Sequence, residues 1–416
     1  MPATEEPCCR FCGTRLEHTF VDLGMSPLCQ KHLRASDLSK MEPFYPLHVW
    51  VCSECFLVQL EEFVPPEEIF GDGEYAYFSS YSSSWLDHAR RYVERMRETF
   101  SIDARSFVVE IASNDGYLLQ YFQARHTRVL GIEPASNTAA VARERGIETL
   151  VRFFGRDVAR EVAAASGRAD LIVANNVIAH VPDINDFVAG LAILLAGEGV
   201  LTLEFPHLQR LVEGNQFDTI YHEHFSYLSF GTIEQILARH GLVVFDVEEL
   251  PTHGGSLRVY GRHAGNETRR IDRRVDDLRA REIAAGMRTL AYHSRFGERV
   301  QATKRKLLSF LISARNEGRT IVGYGAPGKG NTLLNYCGIR SDFLDYTVDR
   351  SPHKQGGFLP GTHIPIKHPD EIARTRPDYL LILPWNLKEE IMEQMAGIRD
   401  WNGRFVVPIP EVRVLP

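Results

Sequence analysis

The sequence predicts an α/β protein in which a short cysteine-rich module precedes two domains, each built on a mainly parallel β-sheet flanked by helices. Six of the seven cysteines lie within the first 55 residues. Apolar strand-like segments alternate with helix-like segments from residue 107 onward, and this rhythm starts a second time after a long charged stretch. A chain of 416 residues also exceeds the size of a single hydrophobic core.

The composition indicates a soluble globular protein, with 44% hydrophobic and 24% charged residues. A net charge of −7 disfavours binding to nucleic acid through bulk electrostatics. No apolar run approaches the roughly 20 residues needed to span a bilayer, and the first residues, MPATEEPCCRFC, lack the apolar core of a signal peptide. We therefore expect a cytoplasmic protein without nucleic-acid or membrane partners.

The cysteine spacing predicts a structural metal site. Cys9-x-x-Cys12 and Cys52-x-x-Cys55 form two CxxC pairs with 39 residues between them. Two such turns present four thiolates to one tetrahedral Zn²⁺, and four protein ligands leave no open position for chemistry. Cys8 is an alternative ligand, but the two-residue gap favours Cys9. Redox-active or incidental cysteines are the other interpretation.

Alternating apolar segments predict the strands of both sheets. The first set comprises Phe107–Ile111, Val129–Ile132, Asp170–Ala174 and Val200–Leu203, with Val243–Val247 and Ser256–Tyr260 as a closing antiparallel pair. Residues 267–318 have a charged helical pattern. The second set comprises four short strands, at Thr320–Gly323, Leu344–Val348, Tyr379–Leu383 and Arg404–Val407.

The turn after the first strand predicts a nucleotide-type cofactor site. A tight turn between a strand and a helix directs backbone N–H groups towards a ligand, and an acid after the next strand can bind ribose hydroxyls. NAD and S-adenosylmethionine both fit this pattern. S-adenosylmethionine has no pyrophosphate and so suits a loop with one glycine better. The candidate cofactor residues are Glu110, Ala112, Ser113, Asn114, Asp115, Gly116, Glu133, Pro134, Phe154, Asn175 and Asn176.

The segment YHEHFSYLS, residues 221–229, holds the most reactive cluster of side chains. It follows the predicted strand Val200–Leu203, and His180 follows the predicted strand Asp170–Ala174, so both are expected at the carboxyl edge of the sheet. His222 and His224 share a face of an extended segment and suit a metal if a third ligand is present. One imidazole can instead be a general base. Solvated or core residues are the third interpretation, and we favour the base.

Methyl transfer to carbon is a reaction that requires side chains of the kind found in this cluster. A carbon beside a ketone can lose a proton because the enolate holds the charge on oxygen. That step needs a base for the C–H proton and donors for the enolate oxygen. Histidine and tyrosine in one pocket provide both groups.

A second glycine-rich loop, GYGAPGKGN at residues 323–331, contains G-x-G-x-x-G after a predicted strand. Asp349 ends the next predicted strand, 21 residues beyond Gly328. This pattern is typical of NAD binding. The domain has room for only one mononucleotide-binding half, however, and Lys329 and Lys354 add cations that also suit a nucleoside diphosphate. A structural turn is the remaining interpretation.

The ordered set of cysteine module, E-I-A-S-N-D-G and G-I-E-P motifs, YHEHFSYLS and YGAPGKGNT resembles the nucleotide-linked deoxysugar C-3 methyltransferases of antibiotic biosynthesis. The resemblance covers nearly the whole chain. It implies a class I (Rossmann-like) S-adenosylmethionine methyltransferase domain and a small C-terminal Rossmann-like domain. It also implies methyl transfer to C-3 of a dTDP-linked 4-keto-deoxysugar.

The resemblance further implies roles for individual residues. His224 would remove the C-3 proton, Tyr221 would lie near the C-4 carbonyl oxygen, and Glu223 and His180 would support the pocket. Either of two tyrosines would cover the sugar, and several residues would bind the substrate. The tyrosines are Tyr75 and Tyr77, and the substrate residues are His222, Gly325, Lys329, Gly330, Asn331, Asp349 and Lys354.

These inferences divide the chain into a zinc module at 1–68, a methyltransferase domain at 69–266, and a helical linker with the nucleotide-sugar domain at 267–416. Two other functions stay open: an NAD-dependent sugar-nucleotide oxidoreductase and a zinc-ribbon binding module. The sequence leaves open the sugar's 3-substituent and the stereochemistry at C-3. The oligomeric state is also open, because the charged helices suit a monomer as well as paired chains.

Overall fold

The computed structural model describes residues 6–70 and 78–416. Tyr75 and Tyr77 lie outside the described residues. The strands are β1 (His18–Ser26), β2 (Tyr45–Val51), β3 (Val58–Leu60), β4 (Phe107–Ile111), β5 (Arg128–Ile132), β6 (Thr149–Leu150), β7 (Ala169–Asn175), β8 (Leu195–Pro206), β9 (Ser226–Tyr227), β10 (Leu242–Leu250), β11 (Ser256–His263), β12 (Ile321–Tyr324), β13 (Thr347–Val348), β14 (Ile366–Lys367), β15 (Tyr379–Ile382), β16 (Arg404–Val407) and β17 (Arg413–Leu415).

The helices include long elements within 267–318, where the charged pattern predicts them, and a further long helix at residues 83–100. No helix in the described ranges is both long and apolar enough to cross a membrane. The helices are α1 (Pro66–Phe70), α2 (Ser83–Phe100), α3 (Leu119–Gln123), α4 (Ser136–Glu144), α5 (Arg156–Ser166), α6 (Ile184–Leu194), α7 (Leu208–Glu213), α8 (Phe230–Arg239), α9 (Arg273–Ala284), α10 (Leu290–His293), α11 (Phe296–Asn316), α12 (Gly328–Cys337), α13 (Glu371–Thr375) and α14 (Lys388–Gln394).

The chain forms two compact units, each assembled from three segments. The first unit contains Met1–Glu17, Val51–Leu208 and Glu223–Leu290. The second contains His18–Trp50, Gln209–His222 and Ala291–Pro416. The division within YHEHFSYLS therefore falls between His222 and Glu223.

The first unit is built on a seven-stranded sheet with the order β10-β11-β8-β7-β4-β5-β6. The five neighbouring strands β8, β7, β4, β5 and β6 are parallel, and β11 runs antiparallel to both β8 and β10. This arrangement confirms the predicted parallel sheet and its antiparallel closing pair. Every residue of β4 is buried, as expected for a central strand covered on both faces.

Helix α2 shows how the sequence pattern secures this sheet. Its apolar residues recur at helical spacing, and Trp85, Tyr92 and Met96 pack in one cluster with residues of β4, β7 and β8. The Oγ of Ser82 accepts a hydrogen bond from the Trp85 N–H at 3.3 Å and caps the helix. The helix ends at Phe100, before Ser101 with φ of +56°.

The second unit contains a six-stranded sheet with the order β14-β13-β12-β15-β16-β17. All neighbours are parallel except β16 and β17. The prediction of four strands was therefore two strands short. The predicted strand Leu344–Val348 was too long, since only Thr347–Val348 pair as a strand. Strands of two or three residues are too short for hydrophobic alternation to reveal.

Candidate active site and metal centre

The four cysteines of the two CxxC pairs come together in the first unit. Their sulfur atoms all lie within 4.8 Å of one another. The Cys9 and Cys55 sulfurs are 3.5 Å apart, as are those of Cys12 and Cys52. Zn–S bonds of about 2.3 Å in a tetrahedron place sulfur atoms about 3.8 Å apart. The cluster therefore has the dimensions of a four-thiolate zinc site.

The charges within this cluster show why it suits a cation. Hydrogen bonds from Cys52 and Cys55 lower the pKa of Cys9 to about 3, whereas the contacts with Cys52 and Cys9 raise the pKa of Cys55. One thiolate thus makes ionisation of its neighbour unfavourable unless positive charge is added. The Gln59 amide also donates to the Cys9 sulfur at 3.2 Å. A divalent ion would neutralise the charge that this arrangement collects.

One backbone hydrogen bond joins the His180 and His224 segments, and a second joins the His224 segment to β3. The Phe225 N–H donates to the Ala179 carbonyl at 2.8 Å, and the Leu60 N–H donates to the Phe225 carbonyl at 3.0 Å. His180 closes the turn after β7, and His224 precedes β9, which pairs with β3. Their ring centroids are 4.7 Å apart in an edge-to-face arrangement. The first unit thus places two imidazoles in direct contact.

Burial controls the protonation of His180. Loss of hydration lowers its pKa to about 4, while a hydrogen bond with the backbone of Glu223 acts in the opposite direction. Its Nδ1 is buried without a hydrogen-bond partner among the described residues. A neutral His180 at pH 7 does not repel a positive charge that forms on His224 during proton transfer.

The other members of YHEH differ in their surroundings. The Nε2 of His222 donates to the Pro46 carbonyl at 3.1 Å, and its ring lies edge-on to Tyr45. Burial lowers the pKa of His222. Glu223 is buried and Tyr221 is half-buried. In the described part of the chain, the only group of three or more possible ligands with metal-binding geometry is the cysteine one.

The predicted cofactor loop after β4 has an unusual backbone. Ala112, Asn114 and Gly116 have φ of +56°, +50° and +78°, in a region that costs a residue such as alanine about 1–2 kcal/mol. The N–H groups of Ala112 and Ser113 both donate to the Ile132 carbonyl, at 2.8 and 3.3 Å. The end of β5 therefore holds the loop in this shape, although glycine is absent at two of the three positions.

Two buried carboxylates flank the loop. The oxygens of Glu133 accept hydrogen bonds from the N–H groups of Asn114 and Ala135, at 2.9 and 2.8 Å. Burial raises the pKa of Glu133. Burial also raises the pKa of Glu110 well above its usual value, and the charges of Asp115 and Glu133 add to this. Carboxylate oxygens have further lone pairs, so Glu133 can support the loop and bind hydroxyl groups.

Residues before α2 contact the same loop, which the sequence did not predict. The Ser79 N–H donates to Asn114 Oδ1 at 2.9 Å, and the Ser80 hydroxyl donates to Asp115 Oδ2. Arg145 donates to the Asp115 carbonyl at 2.8 Å and to Ser80 Oγ at 3.0 Å. The serine-rich composition of this stretch was the sequence feature that could have indicated these contacts.

The remaining predicted cofactor residues follow the ends of neighbouring strands. Pro134 is half-buried after β5, and Phe154 lies edge-on to Phe187 at 5.5 Å. Asn175 is the buried last residue of β7. Asn176, with φ of +52°, donates its N–H to the β8 backbone at 2.7 Å. All of them therefore lie near the carboxyl edge of the sheet.

The sequence also did not predict a buried ionic network near the end of β8. Arg258 donates to Glu204 at 2.6 Å and to Glu248 at 3.2 Å. The Nε2 of His88 lies 3.0 Å from both Glu204 Oε2 and Arg258 Nη2. Burial alone would raise the pKa of Glu204, but His88 and Arg258 lower it to about 2. Charged residues within otherwise apolar strands were the signal for this network.

In the second unit, the glycine-rich loop is held by hydrogen bonds with residues that follow it in the chain. Gly325 has φ of +92°, and a Cβ on Gly330 would lie 2.9 Å from a neighbouring leucine. The Asp349 carboxylate accepts a hydrogen bond from the Ala326 N–H at 2.8 Å. Lys354 donates to the Ala326 carbonyl at 3.0 Å. Asp349 and Lys354, which the sequence predicts to bind the substrate, thus support the loop directly.

Lys329, in the first turn of α12, belongs to a buried polar group. Its ammonium donates to Asn386 at 2.8 Å and lies 4.8 Å from the centroid of the Trp385 ring. Trp385 donates to Asp218 at 2.7 Å. Burial lowers the pKa of Lys329 and raises that of Asp218 to about 6. The Asn331 amide is buried, with neither polar atom hydrogen-bonded within the described residues.

Family comparisons agree with this architecture. Residues 9–70 match a family model described as "Putative zinc binding domain", and residues 85–247 match "Methyltransferase domain". Residues 251–410 match "C-methyltransferase C-terminal domain". The fold and these three matches define the protein as a methyltransferase.

A full-length relative makes the class more specific. C-methyltransferase NovU from Streptomyces niveus is 37% identical over 410 residues, covering 98% of this chain and 96% of that protein. The chain belongs to the C-methyltransferase family. A ubiquinone biosynthesis O-methyltransferase from Rhodopseudomonas palustris (strain TIE-1) is 25% identical over 159 residues, covering 33% of this chain and 63% of that protein.

Solved methyltransferase structures resemble a smaller part of the chain. Magnesium protoporphyrin IX methyltransferase (ChlM) from Synechocystis PCC 6803 with bound SAM aligns with a TM-score of 0.33 and 14% identity. The alignment covers 42% of this chain and 78% of that chain. A methyltransferase from Clostridium acetobutylicum ATCC 824 gives a TM-score of 0.36 and 11% identity, covering 43% of this chain and 92% of that chain.

We expect the cysteine cluster to hold zinc. Wild-type protein should contain about one zinc ion per chain, whereas Cys52→Ser should retain almost none, because three thiolates bind far more weakly. Inductively coupled plasma mass spectrometry measures this directly. Cys8→Ser is the matched control, since Cys8 is exposed and adjacent to a ligand. Full zinc content in Cys52→Ser would rule out this site.

We also expect His180 to make the protein less stable in acid. Its folded pKa of about 4 lies below the usual value of about 6.5, so its stabilising effect is complete above pH 6.5 and is lost as the pH falls towards 4. Between pH 7 and 5, His180→Asn should lose about 2 kcal/mol less stability than wild type in urea unfolding. Exposed His126→Asn should behave as wild type. Equal losses for His180→Asn and wild type would show that His180 is not kept neutral.

Proposed function

We propose that this C-methyltransferase uses S-adenosylmethionine to methylate C-3 of a dTDP-linked 4-keto-deoxysugar in antibiotic deoxysugar biosynthesis. The observation that carries the proposal is the pair of imidazoles, His180 and His224, with ring centroids 4.7 Å apart. Methylation of oxygen needs little help from a base, whereas methylation of carbon requires removal of a C–H proton. One imidazole held neutral beside another suits that requirement.

The sheet and its loops support S-adenosylmethionine as the methyl donor. The loop Ala112–Gly116 has a fixed backbone shape and only one glycine, which suits a ligand without a pyrophosphate. Glu133 lies at the end of the next strand, where it can bind the ribose hydroxyls. When bound, the cofactor would supply an electrophilic methyl group. Zn²⁺ would be structural, because the four cysteines leave it no open coordination position.

The chain's own residues would then divide the proton chemistry. His224 would take the C-3 proton on an imidazole nitrogen while the C–H electron pair moves into the enolate, with its charge on the C-4 oxygen. Tyr221 would donate a hydrogen bond to that oxygen. His180 and Glu223 would hold the base in position. As C-3 bonds to the methyl carbon, the methyl–sulfur bond breaks, and the neutral thioether product leaves.

The second unit would hold the nucleotide part of the substrate. Lys329 and Asn331, whose amide has no hydrogen-bond partner within the described ranges, are the polar residues of α12 best suited to this role. Gly325 and Gly330 would permit close backbone approach, with Asp349 and Lys354 fixing the loop. On this proposal, residues 1–68 bind zinc, 69–266 bind S-adenosylmethionine, and 267–416 bind the sugar nucleotide. Tyr75 or Tyr77 would cover the sugar, and His222 would support the substrate side.

We predict that His224→Asn abolishes exchange of the sugar C-3 proton with solvent deuterium, because the base is missing. Affinity for S-adenosylmethionine should stay within about twofold of wild type, measured by calorimetry. His126→Asn is a matched control, since His126 is exposed and has φ of +62°, which asparagine tolerates. Exchange at the wild-type rate in His224→Asn would exclude His224 as the base.

The reaction class can be tested with the unmodified protein. We expect a labelled methyl group to pass from S-adenosylmethionine to a dTDP-4-ketosugar, with the label at C-3 in the product's NMR spectrum. An equal incubation with NAD⁺ or NADH should give no change at 340 nm. Nicotinamide turnover without label transfer would instead favour the oxidoreductase.

A further inference from the structure

We infer that Arg10, inside the first CxxC turn, is a positioning residue that sets the spacing between His180 and His224. The inference rests on the proposed function for the catalytic meaning of that spacing. Arg10 lies between two metal-ligand candidates, but its guanidinium contacts residues beside both histidines. It would thereby join the metal module to the active centre.

The guanidinium bridges two chain segments. Its Nη1 donates to the Pro182 carbonyl at 2.8 Å, two residues after His180. Its Nη2 donates to the Leu60 carbonyl, and its carbon atom lies 5.4 Å from the centroid of the Phe225 ring. Phe225 directly follows His224. One planar group therefore fixes the turn that ends at His180 and the segment that carries His224.

The contacts reinforce the backbone seam between the two histidines. Leu60 donates its N–H to the Phe225 carbonyl, and Phe225 donates its N–H to Ala179. Arg10 binds Leu60 at one end of this seam and Pro182 near the other. A shift of the arginine would therefore move the two histidine segments relative to each other.

Hydrogen bonds also hold the backbone of Arg10. Its N–H donates to Gln59 Oε1 at 2.9 Å, and the Gln59 amide donates to the Cys9 sulfur at 3.2 Å. The Arg10 carbonyl accepts a hydrogen bond from the Asn185 amide at 3.1 Å. The Arg10 backbone thus binds Gln59, which also contacts the metal cluster, while its side chain binds carbonyls beside the histidines.

The electrostatics are consistent with a positioning role. The Arg10 guanidinium is charged at neutral pH. Keeping a guanidinium away from water is costly unless its donors are used. Arg10 uses two of them on carbonyls next to the active centre.

The test compares Arg10→Lys, Arg10→Met and Arg15→Met. Lysine keeps the charge but not the fork that reaches both carbonyls, and methionine removes both. Arg15 is the control, because it belongs to the same module and forms an exposed ion pair with Glu6. We expect both Arg10 variants to retain one zinc per chain and wild-type affinity for S-adenosylmethionine. Arg15→Met should match wild type throughout.

Turnover should separate positioning from binding. Displacement of catalytic groups by about 1 Å costs about 100-fold in rate, so kcat should fall about 100-fold in Arg10→Met while KM for the dTDP-ketosugar stays within about threefold. Arg10→Lys should lose at least about tenfold, since charge alone does not restore the fork. Wild-type kcat in Arg10→Met, or loss of zinc in both Arg10 variants, would overturn the inference.

A spectroscopic measurement separates this inference from the proposed reaction. In protein with ¹⁵N-labelled histidine and no substrate, the ring signals of His180 and His224 should shift in both Arg10 variants. His180→Asn and His224→Asn identify those signals, and His363 in the second unit serves as an internal reference. Shifted rings in a protein without sugar methylation would support the coupling and reject the proposed function. Unshifted rings would reject the coupling, whatever the reaction.

Discussion

The hydrogen bond from the Phe225 N–H to the Ala179 carbonyl is the contact on which the candidate active site depends. It joins the turn after β7 to a segment 46 residues further along the chain. Without it, His180 and His224 would belong to two unrelated loops. The parallel sheet brings both loops to one edge, and this hydrogen bond sets their register so that the imidazoles touch.

The first unit places its irregular backbone at the same edge. Ala112, Asn114 and Asn176 have left-handed backbone conformations directly after buried strands. Strain of this kind persists only where the surrounding structure holds it in place. Here the ends of β5 and β8 hold it, through hydrogen bonds from Ala112 to Ile132 and from Asn176 to Glu204. Rigid strands thus support the residues that would contact ligands.

Buried charge follows a common rule in both units. Arg258 is paired with Glu204 and Glu248, and Lys329 is paired with Asn386 and lies near Asp218. Each of these groups would be costly if isolated from water. The partners are supplied by distant segments, so each pair also joins parts of the chain. Buried polar groups therefore join segments of the fold that are separate in the sequence.

Local spacing and periodicity in the sequence predicted many of the strands and turns and the cysteine cluster of this protein. Two CxxC pairs predicted the cysteine cluster, and apolar alternation predicted β4 and β16 to the residue. The turn E-I-A-S-N-D-G and the segment YHEHF were placed correctly after their strands. These features are visible in sequence because a strand, a turn or a metal-binding knuckle is specified by a few adjacent residues.

Tertiary structure alone decided how the side chains are used. It bound His222 to Pro46, 176 residues away, and made Asp349 and Lys354 supports of the glycine-rich loop at residues 323–331. It placed Arg10 against Pro182, 172 residues distant, and paired Glu204 with Arg258 across neighbouring strands. Such contacts leave no periodic trace in the sequence, because they depend on which strand ends meet after the chain has folded.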